Sequence, residues 1–153
     1  MPIAETISTL TMTPTTKSGR SASSPITGSV RSAITTLVAI SVTEPDFGSD
    51  VGSIVCSARW DGAAWRLSGT KTWCTFAGRA ELIGLLARTG DASQGYKGLS
   101  LFVVEKPAFA GHDFEHVQPG GGKMTGRAIA TLGYRGMHSY ALSFAEYVLP
   151  ADT

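Results

Sequence analysis

Acidic residues are missing from a long stretch of this chain: none occurs between Glu5 and Glu44. Ser and Thr instead fill about half of positions 8 to 36, with Pro14, Gly19, Pro25 and Gly28 scattered among them. Such a segment has few apolar side chains to bury, so residues 1–36 are expected to form an irregular, poorly structured leader. Lys17, Arg20 and Arg31, set among hydroxyl residues without acids, also match the composition of an organellar transit peptide, although amphipathic helical spacing is weak.

Cysteine is equally scarce. Cys56 and Cys74 are the only two, each inside an apolar segment, which excludes a disulfide framework and a four-cysteine metal site. The expected compartment is a reducing one, the cytoplasm, with the mitochondrial matrix as the alternative. Net charge is +1, and basic and acidic residues are interspersed beyond position 44, so no electrostatic footprint for nucleic acid or an anionic membrane is present. The longest apolar runs, Leu82 to Ala87 and Leu99 to Val104, fall far short of the roughly 20 residues that span a bilayer. No stretch sustains a helical apolar period with caps at both ends.

What remains is a 153-residue chain, 42% hydrophobic, with room for one ordinary domain. From Leu37 onward, short runs of β-branched, aromatic and aliphatic residues are separated by Gly, Pro, Asp and Ser. These runs predict strands over Leu37–Val42, Ile54–Trp60, Ala64–Ser68, Lys71–Thr75, Leu82–Thr89, Leu99–Glu105, Phe114–Gln118 and Tyr140–Ala145. Asp61-Gly62 predicts a tight hairpin turn. The fold class is therefore all-β, a barrel or sandwich over residues 37–153.

Two clusters are candidates for binding chemistry. The first ends a strand at Val42 and turns through Thr43-Glu44-Pro45, with Gly48 and Ser49 beyond. Pro45 biases Glu44 toward extended backbone and Gly48 allows close approach of a ligand, so backbone N–H groups and the Thr43 and Ser49 hydroxyls can face an anionic or carbonyl-rich group. An acidic surface turn is the plainer account of the same residues. In the second cluster, strand alternation places Trp73 and Thr75 on one side, offering a flat apolar face and a hydroxyl to a planar ring with polar edges. Trp73 as an ordinary core residue is the alternative.

Several motifs occur in one order: Thr43-Glu44-Pro45, Gly48-Ser49-Asp50, Gly69-Thr70-Lys71-Thr72-Trp73, Leu86-Ala87-Arg88-Thr89, Gly98-Leu99-Ser100-Leu101-Phe102-Val103-Val104-Glu105 and Leu132-Gly133-Tyr134-Arg135-Gly136-Met137. Together they resemble the flavin-binding middle β-domain of acyl-CoA dehydrogenases, over roughly Ile40 to Pro150. The resemblance implies FAD as cofactor and an acyl-CoA thioester as substrate. It places Ile40, Val42 and Thr43 against the isoalloxazine, with the Thr43 hydroxyl near its N5 and O4 edge. Gly48 and Ser49 would lie along the pyrophosphate and the acyl-CoA entry, Trp73 would pack on the ring, and Thr75 would bond its edge. Ile40 stands where the family commonly has an aromatic, Cys74 where it has Ile or Val, and Asp46-Phe47 replaces a smaller pair.

The family reaction is α,β-desaturation of the thioester, with a glutamate from a C-terminal helical domain as base and hydride passing to the flavin. That domain and the family's N-terminal helical domain are not in this sequence, so the expectation is a fragment or truncated member with no catalytic residue of its own. Glu44 is expected to partner a neighbouring backbone group or cation rather than act as the base. A full-length acyl-CoA dehydrogenase or an electron-transfer flavoprotein is the partner implied. Other readings are a non-catalytic assembly module and a degraded gene product.

Two motifs are decoys. His112-Asp113-Phe114-Glu115-His116 has H-x-x-E-H spacing, but the segment between Gly111 and Pro119 has no helix to aim both histidines at one zinc, and no metal site is expected. Gly120-Gly121-Gly122-Lys123 lacks the following Ser or Thr and the first Gly of a phosphate loop, and is expected to be a flexible connection.

Overall fold

The computed structural model describes residues 36–133 and 136–151. The expected leader lies, but for its last residue, outside the described residues, as do Tyr134 and Arg135 of the last motif. Among the described residues the chain forms β1 (Val38–Ser41), β2 (Ser57–Trp60), β3 (Trp65–Thr75), β4 (Leu82–Arg88), β5 (Leu99–Glu105), β6 (Asp113–Val117), β7 (Lys123–Ala128) and β8 (Ser139–Leu149). Short 3₁₀ turns occupy Val51–Ser53 and Ala92–Gly98. The all-β expectation holds.

One sheet curls into a half-barrel with the path β1-β4-β2-β3-β8-β7-β6, and β5 adds to β4. Most pairs are antiparallel; β4 is also paired in parallel by β1 along Val38–Ser41 and by β2 through Ser57 and Arg88. Alternation decides which face turns inward. On β4, Ile83, Leu85 and Ala87 are buried between half-buried neighbours, and on β5 Phe102 and Val104 point inward in the same way. They meet Leu67, Met124, Leu142, Phe144, Tyr147 and Leu149 in one core. Each large aliphatic side chain so enclosed contributes about 1.5–3 kcal/mol.

Several sequence expectations require correction. Ala64–Ser68 and Lys71–Thr75 are not two strands but parts of the 11-residue β3, which Gly69 crosses at φ +139°. The expected tight turn at Asp61-Gly62 is a longer loop, since Trp60 pairs with Trp65. Asp61 holds it: its carboxylate accepts from the Ala63 and Ala64 N–H groups and from Arg66, and these bonds lower its pKa to about 2. Strand β7 is absent from the sequence expectation, because Lys-Met-Thr-Gly-Arg-Ala has little β-branched content. The Gly120–Gly122 segment is the turn of the β6–β7 hairpin, with Gly121 at φ +86° and the Gln118 N–H bonded to the Gly122 carbonyl. His116 lies on β6 and reaches the Tyr147 hydroxyl at 3.0 Å, and no metal-binding cluster occurs among the described residues.

Lys106, buried beyond the end of β5, ties the turn after β3 to the barrel. Its ammonium donates to the carbonyls of Gly78 (2.9 Å), Ala80 (2.7 Å) and Pro107 (3.0 Å), beside the rings of Phe109 and Phe114. Burial pushes its pKa down to about 8, against the opposing pull of Glu81. Above pH 8 the folded domain releases a proton that the unfolded chain keeps up to the ordinary 10.5, so stability rises with pH in that window. Burial also pushes Cys56 up from 9.0 to about 11 and Tyr147 up from 10.0 to about 12. There the unfolded chain loses the proton first, and stability falls as pH climbs past each ordinary value. Urea denaturation is expected to show a gain of up to about 1 kcal/mol between pH 7.5 and 9, with a decline beyond. Lys106→Met should remove the gain and leave the decline.

Candidate functional site

The turn after β1 and the second half of β3 form one construction. Val42-Thr43-Glu44 continues the chain from β1 and meets β3: the Thr72 N–H donates to the Thr43 carbonyl at 2.8 Å, and Lys71 Nζ donates to the Val42 carbonyl at 2.9 Å. Lys71 also contacts Glu44 Oε1 at 2.9 Å, with side-chain exposures of only 0% and 2%. The Glu44 carboxylate further accepts from the Cys56 N–H at 2.9 Å and the Val55 N–H at 2.8 Å. Glu44 is thus the structural partner that the sequence suggests; its cation, Lys71, comes from the strand opposite.

A bulge interrupts β3 just beyond Lys71. Lys71 pairs with Leu142 and Cys74 with Tyr140, so Thr72 and Trp73 together face the single residue Ala141. Trp73 takes φ +58°, uncommon for a bulky side chain, and the residue is 57% exposed. The bulge breaks alternation between the buried Lys71 and the exposed Trp73; from there Trp73, Cys74 and Thr75 alternate out, in and out, so Trp73 and Thr75 share one side. Cys74, between them, is buried with its thiol 3.1 Å from the Ser41 hydroxyl. Burial raises its pKa, so it remains a neutral thiol.

An open cleft of about 430 Å³ results, lined by Val38, Ala39, Ile40, Val42, Thr43, Thr72, Trp73, Thr75 and Phe76. Five of the seven residues singled out in the sequence, Ile40, Val42, Thr43, Trp73 and Thr75, meet there. Gly48 and Ser49 do not line it; both are exposed in the turn beyond, and a Cβ at Gly48 would meet open space. Val38, Ala39, Thr72 and Phe76 are lining residues that the sequence does not single out as site residues. The outward alternation of Val38 with Ile40 is the legible sign of the first, and the position of Thr72 beside Trp73 in an ordered motif is that of the third.

The cleft is apolar on its flanks and polar at the edge. Ile40, 62% exposed, and Trp73 present large apolar surfaces that the domain's own core leaves uncovered. Thr43, Thr72 and Thr75 supply hydroxyls, that of Thr75 lying 3.0 Å from Ser139 Oγ. A planar ring with hydrogen-bonding edges fits this donor set, an isoalloxazine among them. Among the described residues no carboxylate lines the cleft.

The family model for the middle domain of acyl-CoA dehydrogenases matches residues 39–147. This chain belongs to the acyl-CoA dehydrogenase family. It is 43% identical over 110 residues to (2S)-methylsuccinyl-CoA dehydrogenase of Cereibacter sphaeroides, a match covering 72% of this chain and 19% of that protein. To the mitochondrial short-chain specific acyl-CoA dehydrogenase of Bos taurus it is 35% identical over 112 residues, covering 73% and 24%. Among solved structures it resembles a glutaryl-CoA dehydrogenase from Mycobacterium smegmatis in complex with FADH2, with a TM-score of 0.59, 30% identity and coverage of 76% and 25%. The acyl-CoA dehydrogenase middle domain seen here thus spans about a fifth to a quarter of the length of these proteins. No helix among the described residues is long and apolar enough to cross a membrane.

Proposed function

We propose that this domain forms one wall of the FAD site of an acyl-CoA dehydrogenase, an enzyme that desaturates an acyl-CoA thioester between its α and β carbons. The observation that carries the reading is the cleft itself, where exposed apolar surface on Ile40 and Trp73 meets the Thr43, Thr72 and Thr75 hydroxyls. Bound FAD supplies the hydride acceptor. The chain's own residues bind and orient: Trp73 and Ile40 cover the ring from water, while Val42, Thr43 and Thr75 hold its polar edge. Gly48 and Ser49, exposed beyond the corner, would approach the pyrophosphate and the incoming acyl-CoA. The base comes from elsewhere, because both Glu44 oxygens are already engaged. An electron-transfer flavoprotein is the partner that would reoxidise the flavin.

Titration of the purified chain with FAD, followed by quenching of flavin fluorescence, tests this reading. Trp73→Ala should weaken binding about ten-fold or more, since one stacked aromatic face contributes on the order of 1–2 kcal/mol. Thr43→Ala should cost less, about two- to ten-fold, for one hydrogen bond. Trp73→Ala should leave thermal unfolding nearly unchanged, because the side chain lies outside the core. Undiminished FAD binding by Trp73→Ala would remove the ring from this cleft.

A further inference from the structure

The cleft has two walls from distant parts of the sequence, and a single buried ion pair stands behind both. Lys71 precedes Trp73 by two residues on β3, and its ammonium has as acceptors a Glu44 oxygen and the Val42 carbonyl, each at 2.9 Å. Glu44 in turn fastens the Val55 and Cys56 N–H groups, which lead into β2. Three segments therefore meet at one pair of charges: the corner after β1, the entry to β2, and the strand that carries the indole.

Burial makes this arrangement informative. An enclosed ion pair is poor evidence for stability, since an apolar pair of similar volume often serves the fold as well or better. What it supplies is direction, because the ammonium and both carboxylate oxygens are tied to named backbone groups on three segments. The acceptor on Val42 belongs to the same peptide unit as the Thr43 N–H, so the ammonium fixes that peptide plane at the rim of the cleft. The neighbouring Thr72 N–H bond to the Thr43 carbonyl then takes up the next peptide, at 2.8 Å.

We propose that Glu44 and Lys71 are positioning residues of the cleft: their ion pair fixes the Val42-Thr43 corner against Trp73, and so sets how tightly the domain captures a planar cofactor ring. The consequence for binding rests on the flavin reading above; the placement of the corner does not.

The test uses the Glu44→Gln/Lys71→Met double variant, which removes both charges together, with FAD as the probe. Two readouts are taken: the FAD dissociation constant, and hydrogen exchange at the Thr72 amide in the absence of FAD. The expected result is a cooperatively folded domain in which the dissociation constant rises about ten-fold or more and Thr72 protection falls by a similar factor. An unchanged dissociation constant together with unchanged Thr72 protection would overturn the proposal, as would a Thr72 amide that stays protected while binding is lost. Should the unaltered chain fail to bind FAD, the flavin reading falls by itself, and the loss or retention of Thr72 protection still decides the role of the pair. If the double variant does not fold, Glu44→Gln alone, which keeps the side-chain shape, is read by the same two measurements.

Discussion

Lys71→Met is expected to lose about 3–5 kcal/mol of unfolding free energy, enough to unfold much of a domain this size at ordinary temperature. The methionine fills the space of the lysine stem but leaves the Glu44 carboxylate, with 2% of its side chain exposed, without its counter-charge. Restoring neutrality should restore most of the stability. The Glu44→Gln/Lys71→Met double variant is therefore expected to fall well short of the single variant's loss, with the difference appearing as a favourable coupling of several kcal/mol in a double-mutant cycle. Urea denaturation of the four proteins measures it, and strictly additive losses would contradict a buried, mutually dependent pair.

The second large effect is Gly69→Ala. Gly69 lies within β3 at φ +139°, and a Cβ built there would come 2.7 Å from Cys56 Cα and 2.9 Å from its Sγ. The residue is strained in its own backbone and would press on the segment that Glu44 anchors, so both effects add to about 3 kcal/mol or more. Gly62 provides the contrast. Its φ is +104°, but a Cβ there would meet nothing within 4 Å. Gly62→Ala should therefore carry only the backbone strain, about 1 kcal/mol. Equal losses for the two substitutions, in thermal or urea melts, would show that β3 moves aside to accept the methyl group.

Gly69 also explains where the sequence misleads. A glycine between two short strand-like runs reads as the end of one strand and the start of another, whereas here it lets β3 continue past β2 with Cys56 close against it. The register shift just before it is absorbed on β8, where Glu146 sits at φ +48° and bonds the Ser68 hydroxyl at 2.7 Å. Such bulges depend on the partner strand, so no local pattern announces them. Strand β7 is invisible for a different reason. Its inward positions, Met124 and Gly126, are neither β-branched nor aromatic, and Gly126 is tolerated because the Phe114 ring occupies the space that a Cβ would take.

The candidate site is more legible than the topology. Thr43 and Trp73 stand out through ordered motifs, and the structure brings them to one cleft. Glu44 is readable as a structural group, because a carboxylate before Pro45 at a strand end has backbone donors nearby. Its partner is not, since Lys71 lies 27 residues away and nothing in either segment alone requires the two charges to meet. The burial of a lysine inside a β-barrel is a tertiary fact. The same is true of Trp73, whose outward turn depends on the bulge opposite Ala141.

The most direct measurement is an amide chemical-shift map of the isotope-labelled chain during addition of FAD. Saturable shifts are expected to concentrate at Val38–Thr43 and Thr72–Phe76, with the Trp73 indole N–H among the largest. Shifts clustered instead on the β6–β7 hairpin, or a folded domain whose amides do not respond to FAD, would contradict a flavin site in this cleft.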